Sequence, residues 1–171
     1  AVGLSIESSW GTANWLRIAE EKGGPRVASI QNEYSLMCRL YDTDLAELSV
    51  NEDVGLLAFS PLAAGFLTGK YQNGQVPEGS RMSINDNLGG RRTDRSYLAV
   101  DAYLSVAQKH GLDPTQMALA WCMPRPFMCS AFFGATTEAQ LQTAIGAADV
   151  ILSQEVLDDL DTAHRAHPMP Y

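Results

Sequence analysis

Four stretches of this 171-residue chain place hydroxyls, amides or small residues directly after a short apolar run: Ser5, Gln31-Asn32, Ser60-Pro61 and Gly134–Thr137. In barrel folds the C-terminal ends of strands carry function. Polar and small residues also end strands without any ligand, so these ends alone decide nothing. The third stretch is more specific. It runs Ser60-Pro61-Leu62-Ala63-Ala64-Gly65-Phe66-Leu67-Thr68-Gly69-Lys70. Small side chains let the backbone approach a ligand, and backbone N–H groups can hold a phosphate. The order is neither the GxxxxGK[ST] of a P-loop nor GxGxxG. Phe66 and Leu67 are poor choices for a wholly solvated loop. In the fourth stretch Thr137 and Gln140 have capping-box spacing, and a helix N-terminus after a strand is also a ready anion site.

Short apolar runs at Val2–Ser5, Val27–Gln31, Leu56–Ser60 and Ala131–Gly134 read as the strands that would position these residues. They lack the alternation of a half-wet sheet, which predicts parallel strands covered on both faces. Helical patterns follow. Trp10–Lys22 puts Trp15, Leu16 and Ala19 on one side and stops at Gly23-Gly24-Pro25. Residues 42–52 repeat Leu45 and Leu48, and residues 137–147 repeat Leu141 and Ile145. Residues 61–92 are loop-like. Two helices then occupy 96–110 and 114–122, the second with Asp113 as cap, Pro114 at its first position and Gln116 reaching back. A final amphipathic helix starts at Ser153. The alternation argues for a parallel α/β sheet, either doubly wound or part of a barrel. A full barrel takes ~250 residues, so four βα units starting mid-strand predict half of one. The opening Ala1-Val2-Gly3-Leu4, without Met, reads as a piece of a longer protein.

Composition narrows the class. With 46% hydrophobic and 19% charged residues the chain is globular. Twelve basic against 20 acidic residues leave a formal charge of −8, which argues against nucleic acid and anionic membrane as partners. Cys38, Cys122 and Cys129 fit no metal spacing, and they predict buried free thiols in a reducing, cytoplasmic setting. His164 and His167 read as surface residues.

The motifs Ile30-Gln31-Asn32-Glu33-Tyr34-Ser35-Leu36, Phe59–Tyr71, Met117–Cys122 and Gly134–Leu141 occur in the order found in one family. The chain resembles the C-terminal half of the aldo-keto reductases, nearest the branch of the Tas-like reductases and potassium-channel β-subunits. The resemblance spans nearly all 171 residues. It implies the second half of a (βα)8 TIM barrel that binds NADP(H) across its C-terminal face. Ser5 and Gln31 match residues that hold the nicotinamide carboxamide, and Phe59 matches an aromatic stacked on that ring. The segment Ser60 to Lys70 matches the wrap around the pyrophosphate. Lys70 and Arg81 match cations at the adenosine-side phosphate, and Gly134, Thr136 and Gln140 match adenosine contacts. Three positions depart. Ile6 replaces an Asn, Ala144 replaces an Asn at the adenine, and Thr143 stands where an acid is common.

The resemblance further implies that a small-molecule aldehyde or ketone is reduced to an alcohol by the parent protein. The family's Asp, Tyr, Lys and His tetrad comes from the other half of the barrel, and nothing in residues 1–171 corresponds to it. The expectation is therefore a cofactor platform inactive alone. The alternative is a non-catalytic half-barrel or redox-sensing module that self-associates, or joins a partner, through open barrel edges. A doubly wound domain of another kind would need a glycine-rich turn after the first strand, and Ser5-Ile6-Glu7-Ser8-Ser9 supplies none.

Overall fold

The computed structural model describes all 171 residues. Its elements are β1 (Val2–Ser5), α1 (Ser9–Lys22), β2 (Val27–Glu33), α2 (Leu45–Glu52), β3 (Gly55–Phe59), α3 (Arg81–Ile84), α4 (Asp94–Lys109), α5 (Pro114–Cys122), β4 (Met128–Ala131), α6 (Glu138–Gly146) and α7 (Gln154–Ala166). The four strands are parallel and ordered β1-β2-β3-β4. The sheet does not close: β1 and β4 are both edges. Four parallel strands with intervening helices are the architecture of a partial (βα)8 barrel.

Capping chemistry sets most helix boundaries. Ser8 accepts from Gly11 N at 3.1 Å to start α1, and Gly23 ends it at φ 66°. Asp113 accepts from Gln116 N at 3.0 Å, with Pro114 following. Gln116 does not reach back to its own cap. Its amide donates to Thr143 O at 3.1 Å and ties α5 to α6. The segment 61–92 is less irregular than its composition predicts. Short 3₁₀ turns at Ala63–Thr68 and Gln72–Gly74 and the single-turn α3 lie within it.

Ile30, Leu56 and Ala58 are fully buried in one cluster with Leu16 of α1, Leu45 of α2 and Trp121 of α5. Every residue of α5 from Met117 to Cys122 is buried. Trp121 stacks on Tyr34 with centroids 5.2 Å apart, and Phe127 meets Tyr34 edge-on at 5.5 Å. Buried phenols are satisfied: Tyr34 donates to Asp42 at 2.9 Å and Tyr103 to Leu36 O at 2.6 Å. Between α4 and α7, Asp159 accepts from Lys109 at 2.7 Å and pairs with His110 at 2.6 Å.

Several expectations need correction. The strands are not covered on both faces. Burial alternates along β3, with Leu56 and Ala58 buried and Leu57 and Phe59 half-buried. The partly exposed face also carries Gly3, Ser5, Gln31 and Glu33, so the sequence alternates after all. The fourth strand is Met128–Ala131, not 131–134. Leu57 pairs with Ser130 and Ala58 with Ala131, and only the Phe132 N–H continues the ladder, to Ala58 O at 2.8 Å. Pairing is thus made by the mixed Met128-Cys129-Ser130-Ala131 run and not by the more apolar residues that follow it. Cys38 and Cys122 are buried but Cys129, on that edge strand, is exposed. Trp15, Leu141 and Ile145 are exposed as well. They lie on the helices that follow the two edge strands. His164 and His167 are half-buried, and His164 Nδ1 is sealed from solvent without a partner.

Candidate functional site

Parallel register places Ser5 directly beside Gln31, and Phe59 beside Glu33. Gln31 and Glu33 are two apart on one strand, so all four residues share the face left partly open. Ser5 is exposed, while Gln31, Glu33 and Phe59 are half-buried. Neither the Ser5 hydroxyl nor the Gln31 amide has a protein partner among the side-chain hydrogen bonds, so both are free to bind a ligand. Asn32, next to Gln31, faces the other way. Its amide donates to Glu7 O at 3.1 Å, leaving Oδ1 buried and unpartnered.

The chain leaves β3 through a run of left-handed backbone. Ser60 (φ 53°), Ala63 (48°), Ala64 (57°), Gly65 (97°) and Gly69 (79°) all have positive φ. Three of these are not glycine, and such conformations cost energy and concentrate where backbone groups are aimed at a ligand. Phe66 and Leu67 point inward and are buried, which explains two apolar residues in a small-residue loop. Phe66 meets Tyr71 and Tyr97 edge-on at 5.5 and 5.3 Å. A Cβ on Gly65 would lie 2.9 Å from Lys70 Cε and 3.1 Å from Nζ. A side chain at this position would displace the Lys70 ammonium, which folds over the turn. Lys70 has no carboxylate partner, nor has the exposed Arg81. The Tyr71 hydroxyl accepts from Met82 N at 3.3 Å, which holds the residues beside it, Lys70 and Arg81, on one part of the loop. The remaining members, Pro61, Leu62 and Thr68, shape the turn; Thr68 donates to Gly65 O at 2.9 Å.

Gly134, Thr136 and Gln140 lie beyond the opposite edge of the sheet and are exposed. Three strand spacings of about 4.8 Å separate β1 from β4, ~14 Å in all. Only an extended ligand could touch both groups. Thr137 caps α6 by accepting from Gln140 N at 3.2 Å. Gln140 Oε1 reaches back to Thr136, accepting from its N–H at 3.0 Å and its hydroxyl at 3.1 Å. Thr143 donates to Ala139 O at 3.0 Å within its own helix. Ala144 is buried and lines an apolar cleft with Leu119, Met123 and Phe133, so it offers no polar group to a base edge.

Ile6 stands out. It is 78% exposed and holds φ 53°, a conformation rare for a β-branched residue. Its N–H donates to Gln31 O at 2.9 Å, which fixes the backbone there.

Three residues escaped the sequence reading. Glu33 accepts from both Arg91 and Tyr171, which are 58 and 138 residues away in sequence. No local spacing connects them.

Residues 1–165 match the model of the aldo/keto reductase family. The chain belongs to the aldo/keto reductase family. It is 41% identical to Protein tas of Escherichia coli K12 over 169 residues, covering 99% of this chain and 49% of that protein. It is 36% identical to a probable voltage-gated potassium channel subunit beta of Arabidopsis thaliana, covering 95% and 50% respectively. An aldo-keto reductase of Babesia bovis is 34% identical over 149 residues, or 84% of the chain and 52% of that protein. The chain thus spans about half the length of the curated relatives it matches. No helix of this family member is long and apolar enough to cross a membrane.

Proposed function

We propose that this chain is the dinucleotide-binding half of an NADP(H)-dependent aldo/keto reductase that converts small aldehydes or ketones to alcohols. The observation that carries the reading is the register. Ser5 and Gln31 stand side by side with unpartnered polar side chains, Phe59 lies on the same open face, and the left-handed loop with Lys70 leaves from that strand end. When bound, NADPH supplies the hydride. Ser5 and Gln31 orient the carboxamide of its ring by hydrogen bonds, and Phe59 offers an apolar face to the ring. The ammonium of Lys70, with those backbone N–H groups of the turn that are not already bonded inside it, takes the diphosphate, and Arg81 the adenosine-side phosphate; the N–H groups of Ala63, Gly65, Leu67 and Gly69 are committed within the turn. Gly134, Thr136 and Gln140 meet the adenosine. The unpaired Lys70 and Arg81 favour the extra phosphate of NADPH over NADH.

A proton donor for the alkoxide comes from a Tyr, Lys, His and Asp set outside residues 1–171, so the chain alone turns over no carbonyl. Three free cysteines support a reducing, cytoplasmic setting. The unpaired edges of β1 and β4, flanked by exposed Trp10, Trp15, Phe132 and Phe133, support a second role: association through those edges with another half-barrel. Titrating NADPH and NADH by fluorescence tests the main reading. Quenching or a spectral shift, stronger with NADPH, is the expected result. No response at millimolar nucleotide, or carbonyl turnover by the 171-residue chain, would overturn it.

A further inference from the structure

Glu33 is an acid where the proposed ligand is an anion. It ends β2, two residues beyond Gln31 and beside Phe59, on the open face. A bare carboxylate there would repel a dinucleotide. It is not bare. Arg91 grips it bidentately through one edge of its guanidinium, Nε to Oε1 at 3.0 Å and Nη2 to Oε2 at 2.7 Å. Tyr171 donates to the same Oε1 at 2.8 Å, and its ring centroid lies 5.4 Å from the guanidinium carbon. The side chains of Glu33 and Arg91 are only 20% and 14% exposed, so the pair is weakly screened. Burial, and then the charge of Glu33, push the Tyr171 hydroxyl well above its ordinary value, so it remains a donor.

The three residues come from three parts of the chain. Arg91 closes the long excursion that follows β3. Its Nη1 also donates to Leu88 O at 2.9 Å, across a turn in which Leu88, Gly89 and Gly90 all have positive φ. A Cβ on Gly89 would sit 3.0 Å from that same Nη1. Tyr171 ends a tail pinned by two further bonds: Thr93 Oγ1 to Pro170 O at 2.9 Å and Arg95 Nη2 to Pro168 O at 3.0 Å. At the other end of the excursion Gln72 donates to Tyr97 O at 3.1 Å and to Asp101 at 2.6 Å. Between these anchors, residues 73–87 are exposed apart from Ser80 and Met82, and they carry Arg81.

We propose that Glu33, Arg91 and Tyr171 form a clasp that holds the segment bearing Arg81 against the nucleotide face and masks the carboxylate at the end of β2. They are positioning residues. The proposal rests on the nucleotide reading above, yet the loop itself can be followed without nucleotide. Two variants serve: Arg91→Met, which opens the clasp and bares Glu33, and Tyr171→Phe, which keeps the ring and removes one donor. Circular dichroism establishes that each is folded.

The first measurement is the rate of tryptic cleavage after Arg81 in the absence of nucleotide. The expected acceleration is about tenfold for Arg91→Met, corresponding to about 1.4 kcal/mol, and a few-fold for Tyr171→Phe. The second is NADPH dissociation by stopped-flow fluorescence. It should quicken about tenfold in Arg91→Met with little change in association, and Glu33→Gln added to Arg91→Met should recover part of the loss by removing the repulsion. Cleavage at the wild-type rate in both variants overturns the clasp, whatever the nucleotide result. Faster cleavage with no NADPH binding even by wild type supports the loop anchor and overturns the nucleotide reading instead. Faster cleavage with unchanged dissociation overturns the link between clasp and ligand.

Discussion

Ile6→Asn should stabilise the protein. Ile6 sits at φ 53° with its N–H committed to Gln31 O at 2.9 Å. The backbone cannot relax without breaking that bond. A left-handed conformation costs an L-residue about 1–2 kcal/mol, whereas asparagine visits it routinely. Against this stands the apolar burial lost with the isoleucine. At 78% exposure, only about a fifth of its side chain is removed from water. A fully buried Ile is worth roughly 1.5–3 kcal/mol, so that loss is about 0.3–0.6 kcal/mol. The net gain is about 1 kcal/mol, a rise in Tm of roughly 2–4 °C at this chain length. Urea unfolding of both proteins, with the slope m unchanged, measures it. Ile6→Ala is the control: it removes the same apolar surface, keeps a Cβ, and should gain less. A midpoint for Ile6→Asn at or below wild type would refute the strain argument. The same substitution restores the amide expected beside Ser5, so NADPH should bind more tightly to it.

Gly65→Ala should cost at least about 1 kcal/mol, because φ is 97° and the new methyl meets Lys70; NADPH titration should show weaker binding than by wild type. Trp121→Ala removes the buried ring stacked on Tyr34, and urea unfolding should register a loss of about 3–5 kcal/mol. With Ellman's reagent the native protein should expose one fast thiol, Cys129, and three after denaturation. Burial, the larger cause, and the charge of Glu33 push the Cys38 thiol up to about 11, and burial pushes Cys122 up to about 12. Hydrogen bonds from Lys109, then His110, hold the Asp159 carboxyl below its ordinary range. A lowered carboxylate stabilises the fold above its unfolded value of about 3.9 and loses that contribution as pH falls through the folded value. Asp159→Asn should therefore flatten the acid limb of the stability–pH curve below about pH 4.

Much of this molecule was legible in one dimension. Asp113, Thr137 and Ser153 each cap a helix where the sequence placed its start, because the cap is a local contract between a side chain and an N–H three residues on. The strands β1, β2 and β3, the parallel order and the small-residue loop likewise follow from local pattern, and the ordered motifs pointed to the family that the comparison establishes. Other features had no local signal. The position of β4 depended on pairing with Leu57 and Ala58, which lie some 70 residues earlier, and the most apolar stretch was not the one that paired. Which faces are covered depended on the sheet staying open, so Trp15, Leu141 and Ile145 are exposed despite their helical stripe. Ser5 and Gln31 were nameable as single residues, yet only strand register puts their side chains next to each other. The strain at Ile6 and the grip of Arg91 and Tyr171 on Glu33 are tertiary outright. Both come from backbone and charge geometry between segments that meet only when the chain is folded.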